Sequence, residues 1–545
     1  MKPNKIERLK SECRPFDFRE KLFSADMENL SEEERFYLKN YGIYNIKLMP
    51  ERFMLRIRIA GGRMERRKLT AIVGIAKAYG LEILLTARAQ IELHGLSAAN
   101  VLKVWQRLQE EHITTLQTLT DNFRNIVTDP YDGVARENHV EVHPLILQMQ
   151  ALFLDKAEWM GMLPRKFNTA ISGTAVTPMH FFGNDLCFAL AKKEDEWGFN
   201  LYLGGRNSEM ARPAGLFVFP REVPAMFEAV ARAYRTYGPR GSRAKTRLFH
   251  LISEIGMEAF VEKIGEFYPY AMRPQGNIEN RKSCSTEVRE LKDGTFGLCY
   301  QTRFGKMDTA SFDKVLEYAR SNDLQIRLGI DQNIYLLGTK ERTFPFEPVK
   351  GASQVTACAG SRYCALSLWD IKEETACLPL EKIEAHNIQV GFSGCLKGCG
   401  RHHHCDIGLV GLRTNLFGGT QKAARVFLGG EYTNGKAVAR LVFYVVPLPH
   451  LNRLLEAVIE EFEASGQEDF ESFSRRFLNL HSSNFLTLWF LAKLYLDEEI
   501  RLEEVPEEVL YAKLLKCKGF PAFREDENYL ESIRVMMYSL WEGEA

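Results

Sequence analysis

The sequence predicts a multidomain α/β (α+β) protein that is built on a duplicated unit with a pseudo-twofold axis. Its 545 residues exceed what a single hydrophobic core usually serves. Strand-like alternation and helix-like periodicity follow one another along the chain. A segment that runs from Gly62 to Gly95 returns with equal spacing from Gly305 to Gly338, which indicates an internal repeat of strand, turn, helix and strand.

The composition is that of a globular chain without a charge bias. It is 45% hydrophobic and 26% charged, and Lys+Arg and Asp+Glu are both 71, so no electrostatic case exists for nucleic acid or a membrane as a partner. The start has no apolar segment of the secretory type, and no apolar run is long enough to span a bilayer. Cysteine-rich chains without an export signal are typical of a reducing cytoplasm, where clustered cysteines bind metal more often than they form disulfides.

Changes in pattern divide the chain into six segments. These are an N-terminal arm (1–45), a first half-repeat (46–115), a middle domain (116–285), a second half-repeat (286–345), a cysteine-bearing domain (346–480) and a helical C-terminal extension (481–545). We expect the arm to lie over the body of the protein. Within it, SEEERFYLKNYG predicts a helix that is capped by Ser31 and ends at Gly42.

The first half-repeat carries an unusual set of polar residues. The alternation in FMLRIRIAGG predicts a strand with Arg56 on one face, and RRKLTAIVGIAKAYG predicts the helix that follows. LEILLTARAQIELHG then predicts a single second strand, on which Thr86, Arg88 and His94 alternate with apolar residues. A polar face with an arginine and a histidine is unusual if it meets only water. By contrast, Arg56 and Arg58 taken alone would be interpreted as two solvated charges on an edge strand.

The middle domain contains three basic stretches. They are NFRN with Arg124, LPRKFN with Arg165, Lys166 and Asn168, and AYRTYGPRGSRAKTRLFHLISEIG with Arg243 and Arg247. The last stretch predicts a basic helix that could bind a polyanion, although a solvated helix face is the commoner meaning of such a charge run taken alone.

Four cysteines form two close pairs, Cys358 with Cys364 and Cys395 with Cys399. Two such pairs can supply four thiolates to one inorganic centre, as an iron–sulfur cluster requires. Structural zinc also takes four thiolates but usually from pairs separated by two to four residues. The longer first spacing and the glycines near the second pair favour a cluster, while zinc and ordinary buried or free cysteines stay open.

Taken together, these motifs resemble the siroheme-dependent nitrite and sulfite reductases. The resemblance rests on FMLRIRIAGG, LTARAQIELHG, NFRN, LPRKFN, the repeat that ends in IDQN, and the paired cysteines followed by DIGLVG, in this order over about residues 45–480. It implies a pseudo-symmetric fold with two ferredoxin-like halves. It also implies two cofactors, one siroheme and one [4Fe–4S] cluster.

The resemblance implies a role for each candidate residue. The expected cluster ligands are Cys358, Cys364, Cys395 and Cys399, with Cys399 also bridging to the siroheme iron. Siroheme carries many carboxylates, which need a basic pocket because an unpaired buried carboxylate is costly and arginine pairs with it bidentately. The positions that match cofactor contacts are Thr86, Arg88, His94 and Arg165, with Arg243 and Arg247 as weaker candidates.

The expected substrate face consists of Arg56, Arg124, Lys166 and Asn168. Cationic donors there would hold the oxygens of nitrite or sulfite and deliver protons to the oxide that develops. The resemblance implies a six-electron reduction with electrons that arrive through the cluster. Because the sequence has no nucleotide or flavin motif, they are expected from an external donor, either a ferredoxin or a flavoprotein subunit.

The chain departs from the family pattern in two places. The second cysteine pair commonly reads C-P-N-x-C, but Leu396 and Lys397 stand there, so the hydrogen bonds to the sulfurs and the cluster potential are expected to differ. Sulfite reductases tend to have a second lysine where Asn168 stands. Sulfite carries more negative charge than nitrite, so this asparagine favours nitrite as the substrate and leaves sulfite as the alternative.

Two other classes of function compete with a reductase. One is an oxygen-using enzyme of cobalamin synthesis with the same fold, which the full set of basic residues disfavours. The other is a binding module that carries zinc or a cluster, which would explain the cysteines but not the repeat. His402, His403 and His404, which follow the second cysteine pair, are interpreted as packing residues or as neighbours of the metal ligands, with metal binding as the alternative.

Overall fold

The computed structural model of the chain describes residues 2–282, 288–347, 354–415 and 419–495. It comprises two compact units, of which unit 1 is Met1–Ser353 with Thr433–Gly435 and unit 2 is Gln354–Tyr432 with Lys436–Ala545. Most of the predicted C-terminal extension therefore lies outside the described residues. No helix among the described residues is long and apolar enough to cross a membrane.

The N-terminal arm forms two helices, α1 (Lys5–Glu12) and α2 (Glu32–Leu38). Ser31 caps α2 as predicted, because its side chain accepts from the Glu34 N–H while the Glu34 carboxylate accepts from the Ser31 N–H. The chain then leaves the helix at Gly42, whose φ of 79° lies in the left-handed region. Apolar side chains of the arm belong to the same buried core as the two half-repeats, so the arm is a packed part of unit 1.

The first half-repeat is an antiparallel sheet with two helices. Its elements are β1 (Ile43–Ile46), β2 (Met49–Ile57), α3 (Arg66–Tyr79), β3 (Glu82–Leu85), β4 (Ile91–Leu96) and α4 (Val101–Glu110), and the sheet order is β1-β2-β4-β3. The prediction of one strand over LEILLTARAQIELHG is wrong, because this segment is the β3–β4 hairpin. The Thr86 hydroxyl accepts from the N–H groups of Arg88 and Gln90, each at 3.2 Å, and this local bonding favours a turn over a strand.

The middle of unit 1 contains a second, larger sheet covered by helices. Its elements are α5 (His143–Phe153), β5 (Thr169–Ser172), β6 (Val176–Thr177), β7 (Leu186–Lys193), β8 (Glu196–Leu203), β9 (Arg212–Val218), α6 (Val223–Tyr237), α7 (Leu248–Ile255), α8 (Met257–Gly265), β10 (Arg273–Pro274), β11 (Asn277–Ile278) and β12 (Arg281–Lys282). The strand order is β10-β9-β8-β7-β11, with β5 parallel to β7.

The predicted basic helix is wrong. Gly238 and Pro239 end α6, since proline disfavours a helical residue before it and lacks the N–H that a helix needs. Arg243 then lies in a short 3₁₀ turn, and Arg247 directly precedes α7. The basic side chains therefore stand on a loop between two helices, where each can point in a different direction.

The second half-repeat has the topology of the first. Its elements are β13 (Val288–Glu290), β14 (Phe296–Tyr300), β15 (Lys306–Met307), α9 (Thr309–Ser321), β16 (Gln325–Leu328) and β17 (Ile334–Thr339). The order β13-β14-β17-β16 corresponds to β1-β2-β4-β3 in the first copy. The internal repeat that the glycine spacing predicted is thus confirmed. In each copy, the segment that was predicted as the last strand is a hairpin, β3–β4 in the first and β16–β17 in the second.

The two copies exchange backbone contacts reciprocally. Lys306 in β15 pairs with Leu84 in β3, and Arg63 forms an isolated bridge with Arg327 in β16. In the register of the repeat, Arg63 corresponds to Lys306 and Arg327 to Leu84. Each copy therefore extends the sheet of the other at the same place, as a pseudo-twofold axis requires.

Glycine makes this exchange possible at one position in each copy. A Cβ at Gly62 would lie 2.2 Å from the carbonyl oxygen of Leu328, and a Cβ at Gly305 would lie 2.8 Å from that of Leu85. Both glycines also have left-handed backbone, with φ of 74° and 83°. A side chain at either position would separate the two copies.

Unit 2 is a five-stranded sheet with helices. Its elements are β18 (Val355–Ala357), α10 (Ile371–Glu374), α11 (Leu380–Ala385), β19 (Val390–Ser393), β20 (Ile407–Thr414), β21 (Gln421–Leu428), β22 (Arg440–Pro447), α12 (Leu448–Ala464), α13 (Phe470–Arg476) and α14 (Ser483–Tyr495). The order follows the sequence, with β18, β19 and β20 parallel and the last two strands antiparallel.

The larger sheets also form a repeat, which the sequence reasoning missed. The order β5, β7, β8, β9 and α6 in unit 1 matches β19, β20, β21, β22 and α12 in unit 2, each with a parallel pair followed by antiparallel strands. The carboxylate of Asp185 accepts from the Asn168 N–H at 2.8 Å, and that of Asp406 accepts from the Gln389 N–H at 2.9 Å. The same aspartate therefore closes the same loop in both units.

Candidate active site

The first part of the site lies on neighbouring strands of the first half-repeat. Arg56 on β2 donates to Glu92 Oε1 on β4 through Nε at 2.9 Å and Nη2 at 2.5 Å. His94 Nε2 lies 3.0 Å from the other oxygen, Oε2. Burial by itself would raise the pKa of Glu92, but Arg56 and His94 outweigh it and lower the pKa to about 2. Glu92 is therefore the fixed negative charge that orients Arg56.

Arg58 shows why alternation on a strand is a limited guide. It lies just beyond the end of β2, is buried, and donates to the carbonyl oxygens of Leu116, Gln117 and Phe123. Burial lowers its pKa to about 9. Arg58 thus holds a loop together, although its spacing from Arg56 would place both on one face of a strand.

The β3–β4 turn directs a second arginine into the middle domain. Arg88 donates through Nη1 to Asn184 Oδ1 at 2.8 Å and through Nη2 to the carbonyl oxygens of Asn125 and Thr169. Thr86 shapes this turn through the bonds described above. The two residues therefore do not alternate along a strand; one forms the turn and the other extends from it.

A buried carboxylate that the sequence analysis did not select organises the basic loop. Asp121, which has no exposed area, accepts from both terminal nitrogens of Arg243 at 2.6 Å and from Arg165 Nη1 at 3.4 Å. Lys10 of the arm lies 3.0 Å from the same carboxylate. Asp185 takes a similar part for Arg247, which it binds bidentately at 2.9 and 2.8 Å.

Arg124 and Lys166 complete the cationic set. The backbone N–H of Arg124 donates to Phe167 O at 2.8 Å, and its Nη1 donates to the carbonyl oxygen of Thr118. Burial and the nearby charges of Arg56 and Arg165 hold the pKa of Arg124 well below its usual range. Lys166 is half-buried on the loop that precedes β5. The predicted substrate residue Arg124 therefore lies near both the predicted substrate residue Arg56 and the predicted cofactor residue Arg165.

In this part of unit 1, cationic groups outnumber the buried carboxylates that are described as their partners. The cations are Arg56, Arg88, Arg124, Arg165, Lys166, Arg243 and Arg247, and the buried carboxylates among their described partners are Glu92, Asp121 and Asp185. Like charges held close together are costly unless an anion joins them. The donor set therefore fits a ligand with several carboxylates together with a small oxyanion.

The paired cysteines lie on two loops of unit 2. Cys358 follows β18, and the N–H of Gly394, the first residue after β19, donates to its Sγ at 3.1 Å. Burial and the neighbouring Cys399 thiol raise the pKa of Cys358 to about 12. Burial likewise raises the pKa of Cys364, and Cys399 and Cys395 add to the effect. Cys399 therefore lies near both Cys358 and Cys364, and Cys395 lies near Cys364.

The surroundings of Cys358 Sγ are compatible with an iron–sulfur cluster. Among the described residues, no group of three His, Cys, Asp or Glu side chains is arranged to hold a single metal ion. A cluster spreads its thiolates around several irons, and N–H groups that point at sulfur are part of its environment.

The glycines beside the second pair serve close packing within the protein. A Cβ at Gly394 would lie 1.9 Å from Ser367 Oγ, and one at Gly400 would lie 2.0 Å from the carbonyl oxygen of Phe392. The backbone of the cysteine loop therefore approaches its neighbours closely at both glycines.

The histidines that follow are packed as interpreted from the sequence. His402 is buried, its Nδ1 lies 3.0 Å from Ser393 Oγ, and burial lowers its pKa to about 3. His403 Nδ1 lies 2.8 Å from the carbonyl oxygen of Ala439. Cys405 is buried and donates to Ile407 O at 3.3 Å.

The Glu92 ion pair predicts a specific dependence of stability on pH. A carboxylate whose pKa falls from 4.5 to about 2 on folding stabilises the protein above pH ~4.5, and this contribution disappears as the pH falls towards ~2. We expect Glu92→Gln to lose on the order of 2 kcal/mol near neutral pH and much less near pH 3. Urea midpoints measured at both values check this. Glu141→Gln, at a half-exposed carboxylate beside Arg63, should leave the pH dependence unchanged.

Two protein-family models match the chain. The model of the nitrite/sulfite reductase ferredoxin-like half domain matches residues 47–111. The model described as the nitrite and sulphite reductase 4Fe-4S domain matches residues 119–269. The second match includes Arg124, Arg165, Lys166 and Asn168 but not the two cysteine pairs.

Individual relatives cover most of the chain. A ferredoxin–nitrite reductase of Synechococcus elongatus is 29% identical over 469 residues, which cover 79% of this chain and 91% of the relative. The chloroplastic ferredoxin–nitrite reductase of Arabidopsis thaliana is 26% identical over 493 residues, with 82% and 84% covered. The solved structure of Mycobacterium tuberculosis NirA superposes with a TM-score of 0.78 at 22% identity, covering 89% of this chain and 97% of that one. This structural likeness supports the fold.

Proposed function

The chain belongs to the nitrite and sulfite reductase family, and from this premise we propose that it reduces nitrite to ammonia in a six-electron reaction at a siroheme coupled to a [4Fe–4S] cluster. The observation that carries the proposal is the convergence of three arginines: Arg124 is buried close to Arg56 and Arg165, and burial together with these two charges holds its pKa well below the usual range. Such a set binds an oxyanion beside a cofactor that itself carries carboxylates.

The residues divide into those that hold cofactors and those that face the substrate. The thiolates of Cys358, Cys364, Cys395 and Cys399 would hold the cluster, with Cys399 as the ligand shared with the siroheme iron. Arg88 and Arg165 would pair with siroheme carboxylates. Arg243, which is held in place by Asp121, and Arg247, which is held in place by Asp185, would do the same. His94 and Thr86 act indirectly, since one orients Glu92 and the other shapes the turn that carries Arg88. When bound, the two cofactors supply the electrons and the iron that binds nitrite.

The chain's own groups handle the charge and the protons. Glu92 occupies Nε and Nη2 of Arg56, which leaves Nη1 for an anionic oxygen. Arg124, Lys166 and Arg56 would hold the oxygens of nitrite and stabilise negative charge as each N–O bond breaks. Lys166 is the proposed proton donor, because an ammonium group gives up a proton far more readily than a guanidinium does.

The electron donor is proposed to be a ferredoxin. The relatives in Synechococcus elongatus and Leptolyngbya laminosa are named ferredoxin–nitrite reductases, and the second is 25% identical over 501 residues with 97% of its length covered. The described cysteines form no disulfide, which also fits the reducing conditions of a cytoplasm.

The absorption spectrum and turnover of the purified protein test this function. We expect a siroheme Soret band with a red-shifted α band, iron and acid-labile sulfide in cluster amounts, and faster turnover of nitrite than of sulfite with reduced methyl viologen. A colourless protein with bound zinc would overturn the proposal, and faster sulfite turnover would overturn the choice of substrate.

Asn168 is the position at which we expect substrate preference to change. It is buried at the start of β5, with its backbone fixed on Asp185. A lysine here would add a second ammonium, which favours the more negative sulfite. We therefore expect Asn168→Lys to shift the ratio of kcat/KM for sulfite over nitrite upward by about tenfold, or about 1.4 kcal/mol. A ratio equal to that of the wild type would refute this role for the position.

A further inference from the structure

A lysine of the N-terminal arm is buried next to the basic loop. Lys10 on α1 is 3% exposed, and its Nζ lies 2.6 Å from Glu7 Oε1, 2.7 Å from the carbonyl oxygen of Leu163 and 3.0 Å from Asp121 Oδ2. Burial of an ammonium group is costly unless it is paired. Lys10 is therefore fixed by its partners and cannot move away to solvent as a surface lysine would.

Asp121 is shared unequally among three cations. Arg243 makes two contacts of 2.6 Å with its carboxylate and Lys10 makes one of 3.0 Å, whereas Arg165 makes a single contact of 3.4 Å. The two nearer cations, Arg243 and Lys10, neutralise most of the negative charge of Asp121. Arg165 is consequently held in place without being drawn into a bidentate ion pair.

We propose that Lys10 is a positioning residue for the cofactor pocket, which keeps Arg165 available to a cofactor carboxylate by neutralising Asp121 together with Arg243. Without the ammonium group, Asp121 would have one close partner fewer, and Arg165 is the nearest cation that can replace it. A guanidinium group that closes on Asp121 is lost to the cofactor, because the same donors serve both carboxylates. This inference rests on the proposed function.

A purely structural role of Lys10 would have a different signature. The arm is also anchored at its core by Tyr37, whose hydroxyl donates to the carbonyl oxygen of Leu9 at 2.7 Å. Tyr37→Phe therefore loosens the arm without changing any charge near Asp121. Lys5→Met removes an exposed lysine of the same helix, which pairs with Glu32 at 3.4 Å, and controls for net charge.

Cofactor retention in the holoenzyme tests the proposal. Siroheme per chain is measured from the Soret absorbance after gel filtration, beside the thermal midpoint and the turnover per siroheme. We expect Lys10→Met to retain several-fold less siroheme than Tyr37→Phe at a comparable thermal midpoint. Turnover per bound siroheme should stay within about twofold of the wild type, since Lys10 acts on binding alone. Lys10→Arg and Lys5→Met should retain siroheme like the wild type.

The double variant Lys10→Met with Asp121→Asn makes the test decisive. Because it removes the carboxylate that would capture Arg165, it should retain more siroheme than Lys10→Met alone, and it keeps the net charge of the buried cluster at the wild-type value if the single variant does not fold. Equal loss in Lys10→Met and Tyr37→Phe, or no recovery in the double variant, would overturn the proposal. A wild-type protein without siroheme would instead contradict the proposed function.

Discussion

A Cys399→Ser variant is expected to lose both the cluster and the coupled siroheme. Of the four paired cysteines, Cys399 is exposed whereas Cys358, Cys364 and Cys395 are half-buried. It is also near enough to Cys358 and Cys364 to raise the pKa of both. A serine hydroxyl is a far poorer ligand for iron than a thiolate, so the set would drop to three. We expect the Soret band, the labile sulfide and nitrite turnover to fall together, with turnover at least about 100-fold lower.

Cys377→Ser is the matched control for this experiment. Cys377 lies between the two pairs in the sequence, and burial raises its pKa to about 12, as it does for Cys358. No contact with the paired thiols raises the pKa of Cys377, so its loss should leave cluster, siroheme and turnover intact. Retention of both cofactors in Cys399→Ser would remove it as the shared ligand, and loss of the cluster in Cys377→Ser would show that the wrong four thiols were chosen.

The fold could be predicted from the sequence wherever the pattern was local or repeated. Equal glycine spacing gave the two half-repeats, because Gly62 and Gly305 meet the same need for close approach in both copies. Two local features were misjudged. Thr86 bonds to the backbone of its own turn and splits an apparent strand, and Gly238 with Pro239 splits an apparent helix.

The second repeat was missed because its sequence signal is short. Ser172-Gly173 and Ser393-Gly394 precede Asp185 and Asp406 by equal distances, but two such matches do not stand out in a long chain. Only the strand order and the shared aspartate bonds reveal the correspondence. The correspondence between the two sheets is therefore visible in the strand order, whereas few side chains share it.

At the site, the sequence revealed the cations but not the anions that position them. The basic motifs were visible because family patterns emphasise them. Asp121 was not, since its partner Arg243 is 122 residues away and no spacing rule connects the two. Lys10 is more distant still from the motifs, on an arm that the pattern describes only as polar. Pairing between remote segments depends on the tertiary fold, which periodicity does not contain.

Arg124→Gln is expected to have the second largest effect, and it separates binding of the substrate from binding of the cofactors. Arg124 is anchored by the carbonyl oxygens of Thr118 and Phe167, and burial together with the charges of Arg56 and Arg165 makes its own charge unfavourable. We expect bound nitrite to relieve that repulsion, and the energy that is recovered should contribute to affinity and to stabilisation of the transition state.

Removal of one such donor from a desolvated site typically lowers kcat by about 10²–10³-fold. For Arg124→Gln we expect kcat/KM with nitrite to fall by the same range. The siroheme content should stay within about twofold of the wild type. The measurement is steady-state turnover with reduced methyl viologen, expressed per bound siroheme. Arg52→Gln, at the exposed start of β2, is the matched control and should behave as the wild type. If Arg124→Gln kept normal turnover with its cofactors bound, Arg124 could not contact the substrate. The cofactor carboxylates alone would then have to balance the repulsion among Arg56, Arg124 and Arg165.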